Sequence, residues 1–204
     1  IDTFVHVMMV VDVAARMNAP LPTRFAALTH DLGKGLTPAD VLPRHPGHEQ
    51  KSVALLMPLC DRLRIPSDCR EVARLVARYH GDIHRVDELR PSTRLEVLET
   101  CDALRRPERF VQILLACEAD YRGRLGWEER AYPQAKTWQT ALAAVRAVDA
   151  GAIARDVMQP AEKLGAADTV PSSPSTAAKP LVIAQRIHAA RLNALKALGS
   201  PKTY

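Results

Sequence analysis

Apolar residues recur at helical spacing along most of the chain, and no stretch of useful length alternates apolar and polar residues as a half-buried strand does. Residues 3–17 are apolar on nearly every side, which predicts a central buried helix with His6 as its polar exception. Further helices are predicted at about 22–32, 47–63, 68–80, 93–102, from 107, 134–149 and 151–158. The pattern predicts an all-α fold.

The distribution of prolines and charges divides the chain into four parts. We predict a helical bundle over residues 1–105 and a helical tail region over 106–158. Residues 159–180 hold four prolines among Ser, Thr, Ala and Gly, which predicts a flexible linker or insertion. Residues 181–204 contain a predicted amphipathic helix. Since residues 151–204 carry seven Lys/Arg against three Asp/Glu, this end favours either an anionic partner such as RNA or simple solvation.

The apolar runs and the cysteines indicate the cellular compartment. No uncharged apolar run approaches the roughly 18 residues that a membrane span needs, so no membrane partner is expected. The four cysteines form no C-x-x-C pair, which excludes zinc-finger and thioredoxin readings and favours buried, reduced thiols. The predicted localisation is therefore cytoplasmic.

The first residue already lies in an apolar pattern, so we expect the chain to start inside a longer protein.

The adjacent pair His30 and Asp31 is the first candidate for chemistry, at the end of the predicted 22–32 helix. Neighbouring residues on a helix diverge by about 100°, so an imidazole and a carboxylate here can flank one ion from two sides. A polar pair among apolar residues needs a partner. The pair therefore indicates either a structural His–Asp hydrogen bond or a divalent metal site.

Four more residues extend this pair into a candidate metal centre: His6, His48, His80 and Asp102. Each lies on a different predicted helix, and imidazole with carboxylate suits Mn, Fe, Co, Ni or Zn. Asp102 follows Leu95 and Leu98 at i, i+3, i+7 spacing, so it is expected to point where the leucines point. The alternatives are structural roles for each residue.

Two other histidines compete for places in this centre. His45 could replace His48, and His84 could replace His80 one helical turn later. The sequence leaves both choices open.

The order of His6, His30-Asp31 and Asp102 resembles the HD superfamily of metal-dependent phosphohydrolases, and His48 and His80 resemble the extra ligands of its two-metal members. Several segments are also similar to bacterial multifunctional CCA-adding enzymes (tRNA nucleotidyltransferases). They are residues 30–38, 62–66, 73–77, 118–124 and 132–134. The resemblance covers about residues 1–158 well and the last predicted helix loosely.

The resemblance implies an HD-domain helical bundle followed by a helical tail, with His30 and Asp31 as the catalytic pair. It implies 2′,3′-cyclic phosphodiesterase, 2′-nucleotidase and phosphatase activities that depend on Ni, Mn, Co or Mg. The implied partners are the tRNA 3′ end or nucleotides with 2′,3′-cyclic or 2′ phosphates. A nucleotidyltransferase head that uses Mg is also implied; its Gly-Ser and Asp-x-Asp motifs are missing from these residues.

Five basic residues are expected to hold phosphate or RNA: Lys34, Arg44, His84, Arg122 and Arg124. One alternative is a non-catalytic tRNA-binding module formed by the arginines after residue 105, which are Arg105, Arg106, Arg109, Arg122 and Arg124. A free-standing nucleotide phosphohydrolase is a third interpretation, which fits the predicted metal ligands but leaves the resemblance at 118–124 unexplained.

Overall fold

A computed structural model describes residues 2–159 and 179–199, and all regular structure within these ranges is helical. The α-helices are α1 (Thr3–Arg16), α2 (Leu21–Thr29), α3 (His48–Leu63), α4 (Ser67–His84), α5 (Pro91–Thr100), α6 (Pro107–Arg122), α7 (Pro133–Arg146), α8 (Ala150–Met158) and α9 (Lys179–Ala197). The predicted all-α fold is confirmed. None of the helices in the described ranges is long and apolar enough to cross a membrane.

Helix α4 is the centre of the bundle, since it packs against α2, α3, α6 and α7. Its buried face is apolar except for one histidine near its C-terminal end. The residues of that face are Cys69, Val72, Ala73, Leu75, Val76, Ala77, His80 and Ile83. The same apolar stripe that buries α4 therefore carries His80 into the interior.

Small residues let α1, α2 and α6 approach one another closely, with Val10, Ala14, Ala27 and Ala119 buried between them. At the end of α6, a Cβ on Gly123 would lie 2.5 Å from Val10 Cγ2 and 2.8 Å from Val10 Cα. No side chain fits in that space. The tight contact brings the middle of α1 against the end of α6.

The turn after α2 is pressed against the beginning of α3. The backbone N–H of Gly33 donates a 2.8 Å hydrogen bond to Ser52 Oγ. A Cβ on Gly33 would lie 2.2 Å from the carbonyl oxygen of His48, so only glycine fits there. This contact places the residues that follow α2 beside His48.

The last described helix, α9, packs against α5, α7 and α8. Helix α6, which the sequence assigns to the tail region of residues 106–158, packs against α1, α2 and α4. Most of the predicted linker at 159–180 lies outside the described residues, and the proposed domain bounds stay predictions.

Candidate metal centre

Five elements of the bundle converge on one interior point and bring six polar side chains together. His6 comes from α1, His80 from α4 and His48 from the first turn of α3. The six residues are His6, His30, Asp31, His48, His80 and Asp120. All of them are buried except His48, which is partly exposed.

Each of the four imidazoles in this cluster uses its Nδ1 atom to donate a hydrogen bond to a backbone carbonyl. The pairs are His6 with Gly123 (3.0 Å), His30 with Ala27 (2.9 Å), His48 with His45 (2.9 Å) and His80 with Val76 (3.0 Å). Since a carbonyl only accepts, Nδ1 carries the hydrogen, which leaves Nε2 as the atom of each ring that faces the cluster and can offer a lone pair to an ion. Metal-binding histidines are oriented by such bonds.

Three of the residues, His6, His30 and Asp120, form what we call the inner group. The Oδ1 atom of Asp120 lies 2.9 Å from His6 Nε2 and 3.5 Å from His30 Nε2. Asp31 Oδ2 lies 3.1 Å from His30 Nε2 and 4.0 Å from His6 Nε2. The Nε2 atoms of two imidazoles and one oxygen from each of two carboxylates thus face one small space.

The outer group consists of Asp31, His48 and His80. The Nε2 atoms of the two histidines are 3.2 Å apart, and they lie 3.5 Å and 3.7 Å from Asp31 Oδ1. Two lone pairs at such a distance repel each other unless a proton or a metal cation lies between them. Asp31 therefore turns one oxygen to each group and connects the two.

The unpartnered polar atoms of the cluster also fit a divalent metal. Two buried polar atoms lack a hydrogen-bond partner in the described part of the chain, and an ion would bind both. They are His30 Nε2 and Asp31 Oδ1. Ligands at right angles on an ion with bonds of about 2.1 Å are about 3 Å apart, close to several of the distances above. Imidazole with carboxylate is a donor set for Mn, Fe, Co, Ni or Zn.

The electrostatics of the interior favour a positive charge at the inner group. Burial alone lowers the pKa of His30, but Asp120 and then Asp31 outweigh it and raise the pKa to about 10. Burial opposes ionisation of Asp120, yet His30, His6 and His84 hold the pKa of its carboxyl well below the usual range. Burial and then His30 lower the pKa of His80 to about 4, which keeps this ring neutral as a metal ligand must be.

Asp102, the sixth residue of the predicted centre, does not join the cluster. Helix α5 ends at Thr100, and Asp102 lies in a left-handed conformation with φ +54°. Helical i+7 spacing from Leu95 therefore does not predict where the Asp102 side chain points, because Asp102 is not in the helix. The Asp102 carboxylate instead contacts Arg105, Arg106 and Arg109.

The structure places Asp120 of α6 where Asp102 was expected, and the sequence reasoning did not select it. A signal was available, because Asp120 follows Cys117 by three residues on the apolar stripe of α6. An acid on a buried stripe needs a partner. In the sequence, Asp120 entered only as part of the segment 118–124 that carries the family resemblance, while Arg122 and Arg124 of that segment were predicted to bind phosphate or RNA.

The residues predicted to hold phosphate or RNA fall in different places. Lys34 contacts Asp31 Oδ2 and lines a cavity of about 370 Å³ together with His6, Arg124 and Leu125. This cavity opens on the inner group. Since neither cation has to leave its position to reach the cavity, both can meet an anion beside the cluster.

Arg44 lines a second cavity, of about 730 Å³, which opens on His48 and also contains Asp40 and Glu49. Arg122 lies elsewhere and pairs with Glu118 at 3.2 Å. Its charge is therefore already balanced within α6.

His84 lines neither of these two cavities. Its ring nitrogens instead contact the Asp120 carboxylate and the Tyr132 hydroxyl.

Comparison with known proteins points to one family. A model of the HD domain matches residues 3–106. Multifunctional CCA proteins of Burkholderia cenocepacia and Burkholderia multivorans are 59% identical over 164 residues and 62% identical over 155 residues. These alignments cover 80% and 76% of this chain but only 40% and 38% of the relatives. No solved structure matches the chain.

Proposed function

Because this chain belongs to the HD-domain family, we propose that it is a metal-dependent phosphohydrolase acting on 2′,3′-cyclic phosphodiesters, 2′-phosphates and other phosphomonoesters. The observation that carries the proposal is the convergence of six ligand side chains around buried, unpartnered His30 Nε2 and Asp31 Oδ1. A hydrogen-bonded structural cluster would satisfy these atoms. An ion satisfies both at once.

The ligands divide into two sets. His6, His30, Asp31 and Asp120 would hold one divalent ion, and Asp31 with the outer histidines would hold a second. A divalent ion supplies a water of lowered pKa, from about 15.7 towards 7, and polarises a phosphoryl oxygen. Ni, Mn, Co or Mg are the ions to be compared, since the ligand types alone do not select one.

Lys34 and Arg124 would bind and orient the phosphate at the mouth of the inner group. Arg124 lies over the ring of Trp127 and has no carboxylate partner among the described residues, so its charge is free for an anion. The cavity of about 370 Å³ lies within the range of small-ligand sites. The positive charges of Lys34 and Arg124 would also attract an anionic substrate in preference to a neutral one.

The CCA-protein relatives suggest the biological setting. We propose that this chain is the HD part of a tRNA CCA-adding and repair enzyme, working in the cytoplasm beside a nucleotidyltransferase head that uses Mg. The chain spans about 40% of the length of those relatives. Its substrate would then be the 3′ end of tRNA or a nucleotide released from it.

The alternative of a non-catalytic tRNA-binding module has less support. Arg105, Arg106 and Arg109 gather around Asp102, which balances one of their three charges. Phosphate contacts by the remaining cations would give tRNA affinity a steep dependence on salt concentration.

The decisive experiment compares Asp120→Asn with Asp102→Asn, two conservative changes of which only the first removes a ligand. Hydrolysis of 2′,3′-cyclic AMP is measured with Mg, Mn, Co, Ni and Zn, alongside metal content and far-UV circular dichroism. We expect Asp120→Asn to lose turnover and Asp102→Asn to keep it, with helical signals unchanged. Full turnover in Asp120→Asn, or no turnover and no bound metal in the unaltered chain, would overturn the proposal.

A further inference from the structure

His84 is bonded differently from the four histidines of the cluster, since both of its ring nitrogens are in use. Its Nε2 lies 2.7 Å from Asp120 Oδ2, and its Nδ1 lies 3.0 Å from the hydroxyl of Tyr132. None of the other four has a side-chain hydroxyl on Nδ1. This ring therefore has no lone pair left for an ion.

The two partners fix the hydrogen positions of the His84 ring. A carboxylate accepts and cannot donate, so His84 Nε2–H donates to Asp120. The Tyr132 hydroxyl lies at the other ring nitrogen, Nδ1, where it can donate its hydrogen to a lone pair. Burial, and then Cys117, raises the pKa of Tyr132 far above its usual range, so the phenol stays a donor.

We infer that His84 and Tyr132 are a positioning pair that orients the Asp120 carboxylate for metal binding, an inference that rests on the proposed metal function. His84 occupies Oδ2 of Asp120, which leaves Oδ1 to face His6 and His30. The carboxylate is thereby held to one oxygen on the inner group and cannot rotate away from it. His84 is thus a support for a ligand rather than the phosphate-binding residue that the sequence suggested.

Tyr132 lies beyond residues 3–106, which the HD model matches, so a later part of the chain also contributes to the centre. Tyr132 lies just before α7, and its ring packs against Tyr121 of α6 with centroids 5.2 Å apart. Tyr132 is only 8% exposed. The segment between α6 and α7 therefore closes over His84 and fixes the hydroxyl in place.

Two variants test the inference in the purified 204-residue chain, with Ni²⁺ binding measured by calorimetry. Tyr132→Phe removes one oxygen and keeps the ring, while His84→Gln removes the imidazole. Since loss of such a supporting hydrogen bond costs about 10–100-fold in metal affinity, we expect that loss for His84→Gln. We expect a smaller but measurable loss for Tyr132→Phe because the His84–Asp120 bond survives.

Tyr121→Phe and His188→Gln are the matched controls. Tyr121 packs beside Tyr132 but has no bond to His84, and His188 lies half-exposed on α9. Both controls should bind Ni²⁺ as the unaltered chain does. The visible spectrum of bound Co²⁺ should change in the two test variants only, which a purely structural role in the fold would not produce.

The outcomes separate this inference from the proposed function. If the unaltered chain binds no Ni²⁺, the metal function itself fails. If it binds Ni²⁺ and Tyr132→Phe and His84→Gln bind equally well with an unchanged Co²⁺ spectrum, the positioning role is wrong. Should His84→Gln fail to fold by circular dichroism, Tyr132→Phe alone decides between these results.

Discussion

The inner and outer groups of the candidate centre differ in charge and exposure, although Asp31, a member of the outer group, turns one oxygen towards each of them. The inner group has the Asp120 carboxylate in addition to Asp31 Oδ2, and its members are all buried. The outer group has Asp31 Oδ1 as its one facing carboxylate oxygen, with Glu49 Oε2 behind the His48 ring at 3.4 Å from Nδ1, and the His48 side chain is 17% exposed. An ion at the inner group therefore meets more negative charge and less competing water. We expect the inner group to bind first and more tightly.

The two groups also open on surfaces of different charge. Lys34 and Arg124 line the cavity at the inner group without a carboxylate among its lining residues. Asp40 and Glu49 accompany Arg44 at the outer cavity. A phosphate is attracted to the first opening and partly repelled from the second. Binding strength and substrate access therefore both favour the inner group.

The largest effect is expected for Asp31→Asn, because this carboxylate serves both groups. We expect loss of both ions and hydrolysis of 2′,3′-cyclic AMP below detection. Metal content by mass spectrometry and turnover measure the two effects. Asp40→Asn, at an exposed acid on the nearby turn, is the control and should retain both ions. One ion retained in Asp31→Asn would contradict the shared role.

The next effect separates the groups by comparing His6→Ala with His80→Ala. His80→Ala should bind one ion with the tight affinity of the unaltered chain, since only the outer group loses a ligand. His6→Ala should lose that tight site and much more of its turnover. Calorimetric titration gives both stoichiometry and affinity. Equal losses in the two variants would show that the groups act as a single site.

A moderate effect is expected for Arg124→Ala, compared with Arg130→Ala as its control. Both guanidinium groups lie over Trp127, but only Arg124 lines the cavity at the inner group. A hydrogen bond to a charged group contributes about 1.5–3 kcal/mol, so KM should rise at least about 10-fold with little change in kcat. An equal rise in both variants would mean that Trp127 packing, rather than phosphate binding, is responsible.

The smallest effect concerns stability when metal is removed. An ion present at 100 times its Kd stabilises a folded chain by about 2.7 kcal/mol, and each kcal/mol shifts Tm by about 2–4 °C in a chain of this size. A chelator should therefore lower Tm by about 5–10 °C. The Asp31→Asn chain, lacking both ions, should show no shift. A Tm unaffected by chelation of the unaltered chain would argue against an interior ion.

Helical periodicity was sufficient to predict much of the fold. The predicted helix at 3–17 corresponds to α1, and the Pro107 start was placed at the residue where α6 begins. Proline at a first helical position and apolar stripes are local features, so they survive without knowledge of neighbours. The end of α2 was harder, because His30 and Asp31 leave the helix where Gly33 packs against α3.

The sequence by itself determined which residue types could form a centre: His6, the His30–Asp31 pair, His48 and His80 were all selected by their positions on helices. Only the tertiary structure decided that Asp120, and not Asp102, faces them. The choice depends on where α5 stops and on how closely α6 approaches α1 at Gly123. Side-chain spacing within one helix is a local quantity. The convergence of five elements on one point is set by packing between helices, which no single stretch of sequence contains.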